Sequence, residues 1–181
     1  MARQGRKRQQ GRRWNNDRLA KQEEKSVIPV QALERRADIV GIRNVMQPEA
    51  GYALGQCLLI GLISRSQHDA GIAFRQAWHR WASLAGLPPH EVTQRAGRLA
   101  PDVDPETWEK ARDKFRKASA ALRAVHPPGL VWAAVESIVM DDVLPPLLSQ
   151  RGTAVCALQS GLTALVGHFG LPVDTKPLQK S

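Results

Sequence analysis

Apolar residues in this chain recur at steps of three and four, and no run alternates with the two-residue period of a strand. The pattern predicts an all-α fold. In SRSQHDAGIAFRQAWHRWASLAG, Phe74, Ala77, Trp78, Trp81 and Ala85 share one helical face, with Ser66 and Asp69 as the expected capping pair and Gly86 and Pro88 as the stop. A further helix opens at DPETWEK, where Asp104 is placed to cap and Pro105 suits the first helical position. Its stripe of Trp108, Ala111, Phe115, Ala118, Leu122 and Val125 predicts burial, while Glu109, Lys110, Asp113, Lys114, Arg116 and Lys117 take the other face. Pro127 and Pro128 end that helix and start another that reaches Met140, with Val131, Val135, Ile138 and Val139 inward and Asp141 and Asp142 near its end. The last helix, Gly152 to Phe169, is expected to bury Val155, Leu158, Leu162, Leu165, Val166 and Phe169 and to stop at Gly170. Upstream, a short helix from Gln31 to Asn44 and a break at Pro48 complete the expected order.

Charge is distributed unevenly over this pattern. Of a net charge of +9, +6 lies in residues 1–25 and only +3 in the remainder. Arg3, Arg6, Lys7, Arg8, Arg12, Arg13 and Arg18 stand among polar residues with a single tryptophan, Trp14. Such a stretch has too little apolar surface to offset the entropy of ordering, so residues 1–25 are expected to be a flexible arm. The helical domain is expected at 26–172 and a C-terminal tail at 173–181. Neutralising phosphates releases counterions, which makes DNA or RNA the expected partner of the arm. Trp14 is suited either to stacking on a base or to anchoring in a protein pocket.

Two cysteines, Cys57 and Cys156, lie too far apart in sequence for a CxxC pair and fit a reducing cytoplasm. The most apolar run, Leu54 to Ile63, is about half the length of a membrane span. A soluble, cytoplasmic protein without a membrane partner is the expectation.

Catalytic signatures are sparse. The histidines at 68, 79, 90, 126 and 168 never fall at the spacing that sets two metal ligands on one helix face. His79 is expected on a solvated face, and His168 in a last turn that favours a cation. No nucleophile elbow, phosphate-binding loop or dinucleotide fingerprint is present. Neither an enzyme nor a bound cofactor or metal is expected. Trp78 and Trp81 share their face with Phe74, which favours core packing over base stacking. The pair of helices after Pro127 has the order of a helix-turn-helix, but the second carries no basic residue from Thr153 to Gly167, so it is poorly equipped to read bases. Residues 104–125 are the more basic helix and the better candidate for phosphate contact.

Three segments carry a family resemblance. LISRSQHDAGIAFRQAWHRW is similar to the L-S-x-x-Q-x-x-A-G-x-x-F-R-x-x-W stretch of a domain in alphaproteobacterial gene transfer agent activators and related prophage proteins. ALRAVHPPGLVWAAVESIVMDDVLPPLL resembles the following segment, in which a helix ends in an acidic and apolar linker. AVCALQSGLTALVGHFGL resembles the closing L-x-x-A-L-x-x-L-x-x-H-Y-G-L, matched at Leu158, Gly161, Leu162, Leu165, His168, Phe169, Gly170 and Leu171. The similarity covers roughly residues 62–171. The arginine-rich, tryptophan-containing stretch that precedes the family's last helix is reduced here to SQRGT.

This resemblance implies a transcription activator or antiterminator, functionally similar to the Q antiterminators of lambdoid phages, that acts on RNA polymerase to switch on phage-like genes. A companion DNA-binding factor is a further expected partner. Asp141, Asp142, Val143 and Leu144 are the expected polymerase-docking residues, and the arm is expected to track DNA or nascent RNA. Two other classes fit the same charge pattern: a packaging protein resembling a phage small terminase, whose helices form a ring, and an assembly protein whose arm docks on an acidic partner such as ribosomal RNA. Replacing Arg3, Arg6, Arg8, Arg12 and Arg13 with Ala is expected to weaken nucleic-acid binding and to flatten its log–log salt dependence by roughly one unit per lost contact. An unchanged slope in a salt titration would assign the arm to a protein surface instead.

Overall fold

The computed structural model describes residues 28–85, 104–144 and 152–173. Among these residues there are six α-helices and no strand. They are α1 (Val30–Val40), α2 (Ala53–Leu59), α3 (Arg65–Leu84), α4 (Pro105–Arg123), α5 (Pro128–Val135) and α6 (Thr153–Phe169). A short tight turn, Pro48–Gly51, precedes α2, and a wide turn, Glu136–Met140, prolongs α5. The all-α expectation therefore holds. No helix among the described residues is long and apolar enough to cross a membrane.

The helices pack around α6, which contacts α3, α4 and α5. The absence of charge from Thr153 to Gly167 has its explanation here: a helix with neighbours on several sides must be apolar over most of its circumference. Leu158, Leu162, Leu165 and Val166 are all buried, whereas Val155 is only half-buried. Fully burying one such side chain contributes about 1.5–3 kcal/mol.

Glycines on α3 and α6 admit close approaches from neighbouring helices. A Cβ at Gly161 of α6 would stand 2.8 Å from a methyl of Val131 and 2.9 Å from one of Val135, both on α5. At Gly71 of α3 it would stand 2.7 Å from Leu54 of α2 and 3.3 Å from Leu162 of α6. Aromatic rings close the remaining side of the bundle. Phe74 is fully buried, with its ring 5.7 Å from Phe115 and edge-on to Trp132 at 6.3 Å. Trp81 stacks on Phe115 at 5.1 Å, so α3, α4 and α5 meet in one aromatic cluster. Trp78 is also buried, as its spacing implied.

Local chemistry explains the helix ends. Asp104 caps α4 by accepting from the Thr107 amide, and Pro105 occupies the first helical position. The end of α6 follows the double hydrogen bond of a left-handed glycine cap: Gly170, at φ 64°, donates to Gly167 O and Leu171 donates to Val166 O. The start of α3 departs from the expected pair Ser66 and Asp69. Ser64 is the cap: its hydroxyl accepts from the Gln67 amide, and the Gln67 carboxamide oxygen accepts from the Ser64 amide. Starting the helix at Ser64 frees the buried Ser66 hydroxyl to donate to Pro172 O beyond α6.

Three further expectations shift. α1 ends at Val40 rather than Asn44, because Gly41 turns the chain at φ 80°. Ala85 is exposed, since the core contact of α3 fades in its last turn. The run Leu54 to Ile63, assigned no element from sequence, supplies α2 and places Leu54, Cys57, Leu58 and Ile63 in the core. Burial there pushes the Cys57 thiol up to about 11.

One substitution at two positions of α6 tests the packing directly. Gly161→Ala is expected to destabilise by about 1–3 kcal/mol, because β-branched valine methyls cannot swing away from the added carbon. Gly167→Ala meets nothing within 4 Å and is expected to stabilise by about 0.5–1 kcal/mol. Urea unfolding of the two variants should thus move in opposite directions, and equal shifts would contradict this packing.

Candidate functional site

The arm residues Arg3, Arg6, Lys7, Arg8, Arg12, Arg13, Trp14 and Arg18 lie outside the described residues. The expected docking segment, Asp141 to Leu144, lies within them, and the fold holds it in a defined conformation. In the wide turn after α5 the Asp141 amide donates to Glu136 O, a bond spanning five residues instead of four. Wide turns of this kind concentrate at functional sites. The Val143 amide then donates to Ser137 O at 2.9 Å.

Asp142 serves the fold. Its carboxylate accepts from the Ala53 amide at 2.7 Å and thereby satisfies a free donor at the start of α2, 89 residues away in sequence. Its backbone is left-handed at φ 56°, a conformation that aspartate tolerates better than most residues. Leu144 packs against the core. Val143, by contrast, is 52% exposed, and Asp141 beside it is exposed as well. Of the four expected docking residues, Asp141, Asp142 and Val143 are exposed, Asp142 with its carboxylate committed to the Ala53 amide, and Leu144 packs inward.

The charged side chains of α4 form a second surface. Lys110 pairs with Glu106 one turn earlier, and Arg116 lies 3.5 Å from Asp113. Arg112 covers the Trp108 ring at 4.7 Å, and Arg123 covers Trp132 at 5.2 Å. The Trp132 indole donates to Glu136 at 3.0 Å, which joins α4 to the wide turn through an Arg–Trp–Glu sequence of contacts. His168 is exposed at the end of α6, and its ring meets that of Phe169 edge-on at 4.9 Å. His79 is half-buried and accepts a weak hydrogen bond of 3.4 Å from Arg75 rather than standing in open solvent.

A polar array that spacing does not reveal links the start of α2 to α3. The Tyr52 hydroxyl and His68 Nε2 are 2.8 Å apart, and His68 Nδ1 lies 2.9 Å from Asp69. Arg65 then bridges Asp69 and Glu49, at 3.3 Å from each. His68 is 4% exposed, so its two ring nitrogens depend on these partners. Burial, followed by the negative charges of Glu49 and Asp69, raises the Tyr52 phenol above its ordinary value. Glu49 is held below its ordinary value, first by backbone hydrogen bonding and next by Arg65. A phenol that resists ionisation is a poor nucleophile, and the array acts as a hydrogen-bonded tie. Sequence reasoning missed it because Tyr52 and His68 are 16 residues apart, in elements that only the fold brings together.

The residues of the family-like segments have structural roles. Gln67 donates to Gln159 O and to the Thr163 hydroxyl, and Gln159 in turn donates to Leu62 O, so α3 and α6 are joined by side-chain amides. Ala70, Gly71 and Phe74 supply the buried face of α3, and Gly161, Leu162 and Leu165 that of α6. No group of three or more potential metal ligands converges among the described residues. These features define an all-helical protein with two outward-facing polar and apolar surfaces. No protein-family model, curated protein or solved structure matches the chain.

The chain holds one tyrosine, so its phenolate absorbance reports Tyr52 alone. Because the folded phenol is raised, its stabilising contribution is present below the ordinary value of 10.0 and is lost as pH climbs through the folded value. A native-state spectrophotometric titration should place the midpoint above that of the urea-unfolded chain. Tyr52→Phe should reduce the loss of stability at alkaline pH; coincident native and unfolded midpoints would contradict the tie.

Proposed function

We propose that this chain is a transcription activator or antiterminator that docks on RNA polymerase through its helical body and contacts DNA or nascent RNA through its basic arm. The observation that carries the reading is the clamped segment after α5. Asp142 binds Ala53 and the Val143 amide binds Ser137 O, so an exposed valine is presented beside Asp141 in a fixed conformation. A pre-ordered apolar residue with a charged neighbour is economical in binding, since little conformational freedom remains to be lost on contact. The uneven charge supports the same division of labour: +6 of the net +9 lies in residues 1–25, which leaves the body near neutrality and suited to a protein surface. The sequence resemblance to gene transfer agent activators supports polymerase as that surface, and phage-like late genes are the transcription units the reading implies.

Immobilised RNA polymerase is expected to retain the chain, and addition of the chain should raise transcription past a terminator. Val143→Glu should abolish both effects while changing stability by no more than about 0.5 kcal/mol, as befits an exposed site. Asp142→Ala should instead lower stability by about 0.5–2 kcal/mol through loss of the α2 cap. A wild-type chain that ignores polymerase and binds DNA as a many-membered ring would replace this reading with the packaging one.

A further inference from the structure

We propose that the C-terminal half of α4 is a docking surface for duplex DNA, held through its phosphates by Arg112, Arg116 and Arg123. The site goes beyond the polymerase reading: it is built from residues distinct from both the N-terminal arginines and the Val143 segment, and it operates without polymerase.

The near-neutral body holds a local excess of charge. Residues 112–123 carry five basic side chains, Arg112, Lys114, Arg116, Lys117 and Arg123, against the single carboxylate of Asp113, a net +4. Residues 26–181 as a whole carry only +3, so the positive charge of the body is gathered on this half of one helix. A cation in the last turn suits the helix dipole, which accounts for Arg123. The dipole effect fades within that turn, and Arg116 and Arg112 stand about two and three turns before the end.

The three arginines lie on one flank. At 3.6 residues per turn, positions 112, 116 and 123 fall within about 40° of one another around the axis and span about 16 Å along it. All three are exposed. Lys114 and Lys117 fall more than about 100° away, on the side that borders the end of α6.

Aromatic rings orient two of the arginines. The Arg112 guanidinium lies over the Trp108 ring at 4.7 Å, and that of Arg123 over Trp132 at 5.2 Å. Stacking fixes the plane of a guanidinium and leaves its edge N–H groups free, the geometry that grips a phosphate with two hydrogen bonds. Neither arginine forms an ion pair among the described residues. Arg116 lies 3.5 Å from Asp113, a surface pair that costs little to exchange for a phosphate. The other carboxylates near this flank are Glu109, one turn before Asp113, and Glu136, which accepts from the Trp132 indole.

The same stacking selects the occupant. A single strand is held by bases laid on open aromatic faces. Here a guanidinium already covers a face of each indole, and Trp132 also packs against the core. Phosphate contact is what remains, and a duplex offers the denser row, one charge per about 1.7 Å of axis. The major groove of B-DNA, about 12 Å wide, lets an exposed helix face reach the phosphates on its rims, whereas that of an RNA duplex is deep and narrow.

The test is fluorescence anisotropy of the full chain, with Arg3, Arg6, Arg8, Arg12 and Arg13 replaced by alanine so that they do not mask the body. This parent is titrated with a labelled DNA duplex, a DNA strand of equal length and an RNA duplex across a salt series. Arg112→Ala, Arg116→Ala and Arg123→Ala together should weaken DNA duplex binding at least ten-fold and lower the log–log salt slope by about 2.7, at about 0.9 per phosphate contact. Lysine at the same three positions keeps the charge and should recover the slope. Lys114→Ala with Lys117→Ala removes charge from the other flank and should leave the slope within about half a unit of the parent. The proposal is overturned if the parent binds no DNA duplex, if the triple alanine variant keeps the parent slope, if the Lys114 and Lys117 changes lower the slope as much as loss of two arginines, or if the strand or the RNA duplex binds as tightly as the DNA duplex. Thermal melts of each variant exclude unfolding as the cause. Polymerase retention is read separately, so either proposal can fail while the other stands.

Discussion

The structure depends on how closely its neighbours approach α6. At Gly161 the missing side chain admits Val131 and Val135 from α5, and at Gly71 of α3 its absence admits Leu54 from α2 and Leu162 from α6. Because dispersion falls off over fractions of an ångström, these two approaches determine how much contact the buried leucines and valines gain. They also fix α5, from which the proposed docking segment extends. α5 runs directly into the wide turn that presents Val143, and α6 ends at the ring of Phe169.

Polar side chains secure what apolar packing leaves undirected. Hydrophobic burial is proportional to area and insensitive to small rotations, whereas a hydrogen bond between defined atoms is not. Gln67 and Gln159 register α3 against α6, His68 registers the start of α2 against α3, and Asp142 ties the chain after α5 to α2. Of these, Asp142 has two consequences. The bond that completes α2 also holds the neighbouring valine in position, so loss of the cap weakens the fold and the proposed docking segment together.

On this reading the protein separates two kinds of recognition. The N-terminal arginines supply long-range, salt-sensitive attraction with little selectivity, as phosphate contacts do. The body supplies selectivity at short range, through an exposed valine held in a fixed conformation. A factor working beside a transcribing polymerase meets both partners within a small distance, and two modest contacts joined on one body reinforce each other through effective concentration.

The spacing of apolar residues was sufficient to determine the helical class, the buried centres of the α3 and α4 stripes at Phe74, Ala77, Trp78, Ala111, Ala118 and Leu122, and the stop at Gly170, because each depends on contacts within three or four residues. The bias of charge towards the first 25 residues was equally legible, since it needs no geometry. The α3 cap was off by two positions because two serines there satisfy the same local rule, and only the Ser66 bond to Pro172, 106 residues away, separates them. The conformation of the Asp141–Leu144 segment was not legible in the sequence, because it follows from the Asp142 bond across 89 residues. The bond between Tyr52 and His68 and the packing of α3, α4 and α5 around α6 were decided by tertiary structure alone. Each joins residues from separate elements, and local periodicity carries no information about which elements become neighbours.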